Sequence, residues 1–282
     1  MKKSSKKWKR ATNLVFMQII TSREHSLFKQ LMYLMRSTQE RKRKKLTILD
    51  GIHLVQTYCQ IYGLPLKLII SDSARQQAEI LFFLEKFSQH MEGSNRCVVL
   101  SDSLFKQISP VITPSGIMAL ITIPESNYVD ALKFGVLLEG IQDPGNLGSI
   151  LRSAASAEVN AVYLSKTCAD AWSPKTLRAA MGAHFFLTIY EDADLIQIAR
   201  TFNGKVYATS PSSQRSLFQT KLTEPIAFVL GNEGNGISVE LMNAVNESLF
   251  IPINKNCESL NVAATAAICF FEKIRQKLDQ NH

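Results

Sequence analysis

Asp143-Pro144-Gly145-Asn146-Leu147-Gly148-Ser149-Ile150-Leu151-Arg152 follows a strand-like run at 134–138, and its reading decides the fold. An Asp-Pro-Gly turn ends the run, and apolar residues from Leu147 onward recur at helical spacing. The same unit repeats downstream. Strands are predicted at 161–164, 185–190, 205–210, 226–230 and 249–253. Helices are predicted at 147–157, 174–181, 194–202, 239–245 and 260–278. Strands that are apolar throughout, most of them followed by a helix, predict a parallel sheet covered on both faces.

Upstream the pattern is shorter. Strands at 46–50, 66–70, 96–100 and 117–123 alternate with helices at 23–35, 51–62, 74–87 and 102–108, which predicts a small α/β/α domain. Pro124-Glu125-Ser126-Asn127 reads as the linker. The expected organisation is a basic tail at 1–20, a first domain at 21–124 and a second at 133–280. The chain's 282 residues are enough for two cores.

The net charge of +8 is unevenly spread. Residues 1–45 hold 14 Lys and Arg against 2 Asp and Glu, a net of +12; the rest holds 18 against 22, a net of −4. Two clusters account for most of the excess, Lys2–Arg10 with Trp8 among them, and Arg41-Lys42-Arg43-Lys44-Lys45. Basic arms of this kind bind polyanions by releasing counterions, and Trp8 can stack on a base. No apolar stretch is long enough to span a bilayer, and no long apolar core follows the basic start, so neither a membrane segment nor a signal peptide is expected. The five cysteines form no CxxC pair, and the five histidines are dispersed. Free thiols in a reducing, cytoplasmic compartment and no metal site are therefore expected.

Two further segments resemble the opening one in placement. They are Leu230-Gly231-Asn232-Glu233-Gly234-Asn235-Gly236-Ile237-Ser238, and Ile251-Pro252-Ile253 followed by Ser259-Leu260-Asn261-Val262. Each lies where a strand-like run ends, the edge at which open α/β sheets bind ligands. Glycine lets backbone amides approach a ligand, or simply closes a tight connection; five glycines on two loops, Gly145 and Gly148 of the opening segment with Gly231, Gly234 and Gly236, favour a site. Neither loop is a dinucleotide fingerprint or a P-loop, which argues against a nucleotide-dependent metabolic enzyme. Arg152 and Arg178 offer forked donors suited to phosphate. Glu233 sits between glycine-rich neighbours, where a carboxylate has little structural purpose. Ser259 and Asn261 flank Leu260 at a helix start, where either can cap the helix.

In this order and spacing the three segments resemble the motifs of the SpoU (TrmH) branch of the SPOUT RNA methyltransferases. The resemblance covers about 134–278. It implies an α/β fold with a C-terminal parallel-sheet domain tied in a trefoil knot, and a homodimer built on that domain. It also implies methyl transfer from S-adenosylmethionine to a ribose 2′-hydroxyl of RNA, with ribosomal RNA favoured by the extra domain and basic arm. A transfer-RNA substrate, or an RNA-binding protein that has lost catalysis, are the alternatives. Carried over by motif, Asn146, Arg152, Glu233, Ser259 and Asn261 are the catalytic set. Thr209, Gly231, Ile251, Ile253, Leu260 and Asn261 hold the cofactor, and Arg178 and Arg152 meet RNA, together with Arg41, Lys42 and Arg43 of the basic cluster. The family's proposed base falls on Arg152, although a guanidinium that stays protonated is better suited to positioning a phosphate. The family often has glycine where this chain has Glu158 and Lys255. Residues 46–55, with Asp50, Gly51 and His53, resemble a strand–acidic–Gly–x–His segment of a small RNA-binding domain shared with certain ribosomal proteins. Along the last helix Val262, Ala263, Ala266, Ala267, Ile268, Phe270, Phe271 and Ile274 form an apolar belt wide for a surface helix, the expected dimer face.

Overall fold

The computed structural model describes residues 19–91, 96–126, 132–223 and 225–279. Residues 1–18 of the basic tail, and Asn127 at the end of the expected linker, lie outside the described residues. The chain divides into two compact units, Met1–Pro124 with Trp172–Pro174, and Glu125–Ala171 with Lys175–His282.

In the first unit β1 (Ile19–Ile20) is followed by α1 (Ser26–Arg36), α2 (Thr38–Lys44), β2 (Leu46–Asp50), α3 (Ile52–Tyr62), β3 (Lys67–Ser71), α4 (Ala78–Met91), β4 (Cys97–Leu100), α5 (Asp102–Ile108) and β5 (Ile117–Thr122). The strands lie in the order β1-β4-β3-β5-β2, with β5 antiparallel to both β2 and β3. Phe28, Leu31 and Leu34 of α1 pack with Leu104, Phe105 and Ile108 of α5 on Ile48, Ile69, Leu100, Met118 and Leu120 of the sheet.

Two features here differ from the sequence expectation. Ile19 and Ile20, assigned to the tail, pair in parallel with Val99 and Leu100 as an edge strand. The basic cluster folds as α2, capped by the Ser37 hydroxyl. Charge density hid this helix, because its apolar face is supplied by one inward-turned arginine: Arg41 is only 3% exposed.

The second unit runs β6 (Phe134–Leu138), α6 (Pro144–Ser156), β7 (Ala161–Leu164), α7 (Pro174–Ala180), β8 (Thr188–Tyr190), α8 (Leu195–Thr201), β9 (Lys205–Thr209), β10 (Ile226–Leu230), α9 (Val239–Met242), β11 (Glu247–Leu249) and α10 (Val262–Asp279). Its six strands are all parallel, in the order β11-β9-β10-β6-β7-β8. Alternate residues serve opposite faces. Leu137, Ala227 and Val229 meet Leu195, Ala199 and Leu241 of α8 and α9. On the other face Phe134 and Phe228 meet Phe270 of α10, with the Phe134 and Phe270 rings edge to face at 5.8 Å. Helices α6 and α10 pack against each other.

Because every strand runs the same way, all carboxyl ends share one edge. Leu138 is level with Leu230, and Thr209 with Leu249. Helix α6 begins earlier than its apolar spacing predicts, since the Asp143 carboxylate caps it and Pro144 needs no donor in the first turn. The strand predicted at 249–253 instead ends at Leu249. Pro252 has no N–H to continue a ladder, and Phe250 makes only an isolated bridge to Ser216. The segment from 250 to 261 then runs from the edge strand back to α6 at the middle of the sheet.

Candidate active site

The three motif segments meet at that shared edge. Asn146, in the first turn of α6, has its backbone fixed by its amide donating to the Asp143 carboxylate at 2.7 Å. Its side-chain Nδ2 donates to Glu233 Oε1 at 2.6 Å. Its Oδ1 accepts from Asn261 Nδ2 at 3.0 Å. Asn261 in turn accepts, through Oδ1, the amides of Ala263 at 2.9 Å and Ala264 at 3.3 Å. One hydrogen-bonded chain therefore links all three segments, and each link has only one possible direction. An ionised carboxylate can only accept, so Asn146 must turn its NH2 to Glu233. The helix amides can only donate, so Asn261 must turn its oxygen to them. Linked dipoles pointing one way reinforce one another.

The loop carrying Glu233 is built by Asn232. Its backbone exchanges two hydrogen bonds with Gly236, at 3.0 and 2.9 Å. Its Oδ1 accepts the amides of Gly234 and Asn235, and its Nδ2 reaches Gly140 O at 2.7 Å. Gly231 is needed for this closure, since an added Cβ would stand 2.4 Å from the Gly236 carbonyl. Gly148 is likewise a packing residue: a Cβ there would meet Ala179 at 2.4 Å and Thr176 O at 2.7 Å. It lets α7 lie against α6. Arg152, one helical turn beyond Gly148, and Arg178 on α7 thus occupy neighbouring helices, and both are exposed. Arg152 has no side-chain partner among the described residues.

Thr209, Gly231, Ile251 and Ile253 are half-buried along the same edge, and Leu260 is 37% exposed. Among the described residues the amides of Ile251, Ile253 and Leu260 donate to no protein acceptor. A strip of apolar side chains with free peptide donors suits a ligand that is flat and apolar with polar edges.

Four expectations need correction or sharpening. Asn261, not Ser259, caps α10; Ser259 is exposed beside it. Arg41 does not face solvent: its guanidinium donates to Leu34 O and to Thr38 Oγ1, so it ties α2 to the end of α1 and is not available to RNA. Lys42 and Arg43 are exposed, with Arg43 forked onto Glu40 at 3.1 and 2.9 Å, which holds the Glu40 carboxyl below its usual range. Glu158 adopts φ +58° at the far end of α6, the left-handed position where glycine is at ease; Lys255 does not share that conformation. Glu158 therefore lies at the opposite sheet edge from the site, paired to Lys277 at 3.1 Å.

Sequence reasoning missed Asn232, Glu139 and Ser238 as structural partners of the site. An Asn inside a glycine-rich turn was the available signal, because its side chain readily accepts from amides two and three residues on. Among the described residues no group of His, Cys, Asp and Glu is placed to hold a metal, and no helix is long and apolar enough to cross a membrane.

Comparison with known proteins adds the following. The model of the SpoU rRNA Methylase family matches residues 133–271. RlmP of Bacillus subtilis (strain 168), a 23S rRNA (guanosine(2553)-2′-O)-methyltransferase, is 30% identical over 235 residues, covering 83% of this chain and 90% of RlmP. The structure of a putative RNA methyltransferase of the TrmH family from Porphyromonas gingivalis superposes with a TM-score of 0.72 at 29% identity, over 88% of this chain and 97% of that one. The SpoU methyltransferase AviRb from Streptomyces viridochromogenes, solved with AdoMet, shares the fold with a TM-score of 0.76 at 20% identity, over 90% and 100% of the two chains.

Proposed function

This chain belongs to the SpoU rRNA methylase family, and we propose that it transfers a methyl group from S-adenosylmethionine to a ribose 2′-hydroxyl of ribosomal RNA. The observation that carries the reading is the directed chain Asn261–Asn146–Glu233, which joins the three motifs at the carboxyl edge of the sheet. The cofactor supplies a methyl group made electrophilic by its sulfonium sulfur. Thr209, Gly231, Ile251, Ile253, Leu260 and Asn261 hold it, supported by the free amides and apolar side chains along that edge. Arg152, exposed and without a side-chain partner among the described residues, anchors the phosphate beside the target ribose and so fixes the hydroxyl oxygen; its guanidinium stays charged, and the hydroxyl proton passes to water at this exposed edge. Asn146, Glu233 and Ser259 line the position of the hydroxyl. Arg178 adds a second phosphate contact on the adjacent helix.

Ribosomal RNA is preferred to transfer RNA because RlmP, aligned over both units, acts on 23S rRNA. The first unit serves as the RNA-binding domain, with Lys42 and Arg43 on its surface. Two copies pair through the outer side of α10, where Phe271 and Leu278 are 46% and 57% exposed; Val262, Ala266 and Phe270 of the expected belt are instead buried in the chain's own core. The work is done in the cytoplasm, a setting that suits five free thiols, of which Cys97 and Cys269 are pushed up to about 12 by burial. The test is methyl incorporation from labelled cofactor into ribosomal RNA taken from cells lacking the gene, followed by mapping of the modified ribose. Incorporation at one 2′-oxygen is expected. Incorporation only into transfer RNA, or into neither, overturns the substrate reading.

A further inference from the structure

Glu139 is the first residue after β6 and belongs to none of the three motif segments. It grips both legs of the loop that carries Glu233. Its amide donates to Leu230 O on the incoming leg at 2.9 Å. On the outgoing leg its carboxylate accepts two hydrogen bonds from Ser238, the amide onto Oε2 and the hydroxyl onto Oε1, both 2.7 Å long. The Ser238 hydroxyl also accepts the Leu241 amide at 3.3 Å, so the same side chain starts α9. One residue along, Gly140 accepts from Asn232 Nδ2 and donates to Ser165 Oγ at 3.0 Å. The stretch 139–140 is therefore a rigid post between two loops.

Asn232 closes the loop on itself and ties its incoming leg to Gly140, but the outgoing leg beyond Gly236 is held through Ser238. Residues 233–236 are exposed, and Glu233 reaches Asn146 through a single 2.6 Å bond. A carboxylate that accepts both an amide and a hydroxyl is a strong, directional anchor. With the anchor gone, the outgoing leg is free to swing, and Glu233 moves relative to Asn146 although neither has been altered.

We propose that Glu139 is a positioning residue for methyl transfer: through Ser238 it fixes the Glu233 loop, and thereby the orientation of the Asn146 amide. This rests on the methyltransferase reading. Part of its effect runs through the Glu233–Asn146 bond, so that part is lost when Asn146 has already been truncated.

The experiment compares Glu139→Ala, Glu139→Gln, Asn146→Ala and the Glu139→Ala/Asn146→Ala double variant in the full chain. It measures kcat at saturating cofactor and RNA, the thermal midpoint, and hydrogen exchange of the 231–238 amides. In Glu139→Ala, kcat should fall roughly 10- to 100-fold, as misplacement of a reacting group by about 1 Å does. Glu139→Gln, which can still accept the Ser238 amide, should recover part of the loss. The losses should be less than additive in the double variant, and exchange should quicken at 234–238. Additive losses in the double variant overturn the proposal, as does unaltered loop exchange in Glu139→Ala. A fall in kcat matched by a fall in thermal midpoint, with no recovery in Glu139→Gln, assigns a purely structural role. If the unaltered protein transfers no methyl group, the function reading fails on its own, while loop exchange still decides whether Glu139 locks the loop.

Discussion

Asn261→Asp separates the two jobs of one side chain. In the unaltered protein Asn261 Oδ1 caps the 18-residue helix α10, and Nδ2 donates to Asn146. Aspartate keeps the cap, because the amides of Ala263 and Ala264 still meet an oxygen. A negative charge at a helix N-terminus adds about 0.3–1 kcal/mol. The bond to Asn146 is lost, at about 0.5–1.5 kcal/mol, and an oxygen now faces the Asn146 carbonyl oxygen about as closely as the 3.0 Å of the former bond. The two effects nearly cancel, so global stability should move by less than about 1 kcal/mol. The site should not escape so lightly. Asn146 must turn away from the new carboxylate, and the chain to Glu233 is cut; a shift near 1 Å at a positioning group costs about 100-fold in rate. Methyl transfer at saturating cofactor, alongside urea unfolding, reads both quantities. Asn261→Ala is the control: it loses the cap as well, so it should be about 1 kcal/mol less stable than Asn261→Asp and similarly slow. An Asn261→Asp protein with kcat within threefold of the unaltered protein would refute the directed chain. One as unstable as Asn261→Ala would refute the cap.

Three other outcomes follow from the same structure. Arg152→Ala should lower kcat by about 100-fold or more with cofactor affinity by calorimetry nearly unchanged, since its exposed guanidinium has no partner in the described chain; lost cofactor affinity with normal turnover would contradict that role. Glu158→Gly should stabilise the protein by up to about 1 kcal/mol in urea melts, because relief of the left-handed strain exceeds the small worth of an exposed ion pair to Lys277. Stability should also decline in mild acid through His184, which is buried with Nε2 2.6 Å from Ala171 O and whose imidazole is pushed from 6.5 down to about 4 by burial. Below pH 6.5 the unfolded chain takes up a proton that the folded chain refuses, so stability holds above that pH and falls as pH drops toward 4, by roughly 3 kcal/mol in all. A flat profile across that window would place the ring in contact with solvent.

The parallel sheet was legible because burial on both faces leaves a plain mark, seen at 134–138 and 226–230, where every residue is buried. The elements that escaped notice are those whose stability comes from partners distant in sequence. Ile19–Ile20 is a strand only because β4 presents a free edge. Helix α2 has no apolar stripe, and it is held by Ser37, by Glu40 with Arg43, and by Arg41 reaching the end of α1. Conversely, 249–253 looked like a strand on composition alone, and Pro252 ended it early.

At the site, spacing marked which residues gather but not how they are joined. Asn146, Glu233 and Asn261 lie 87 and 115 residues apart in the pairs that bond, and nothing local to Asn146 fixes which end of its amide faces which partner. Two facts fix it: the amides of Ala263 and Ala264, which turn the oxygen of Asn261 to the start of α10, and the remote carboxylate of Glu233, which takes the NH2 of Asn146. Given those, each asparagine has one allowed orientation, and the loop geometry follows from Asn232 and Glu139. The glycines carry a parallel lesson. Gly148 and Gly231 stand in motifs that suggest ligand approach, yet the atoms crowding them belong to α7 and to Gly236. Their packing brings segments of the chain close enough for the polar chain to form, a role separate from the cofactor contact proposed for the Gly231 backbone. Alanine at Gly231 should therefore disturb the Glu233 loop before it obstructs any ligand.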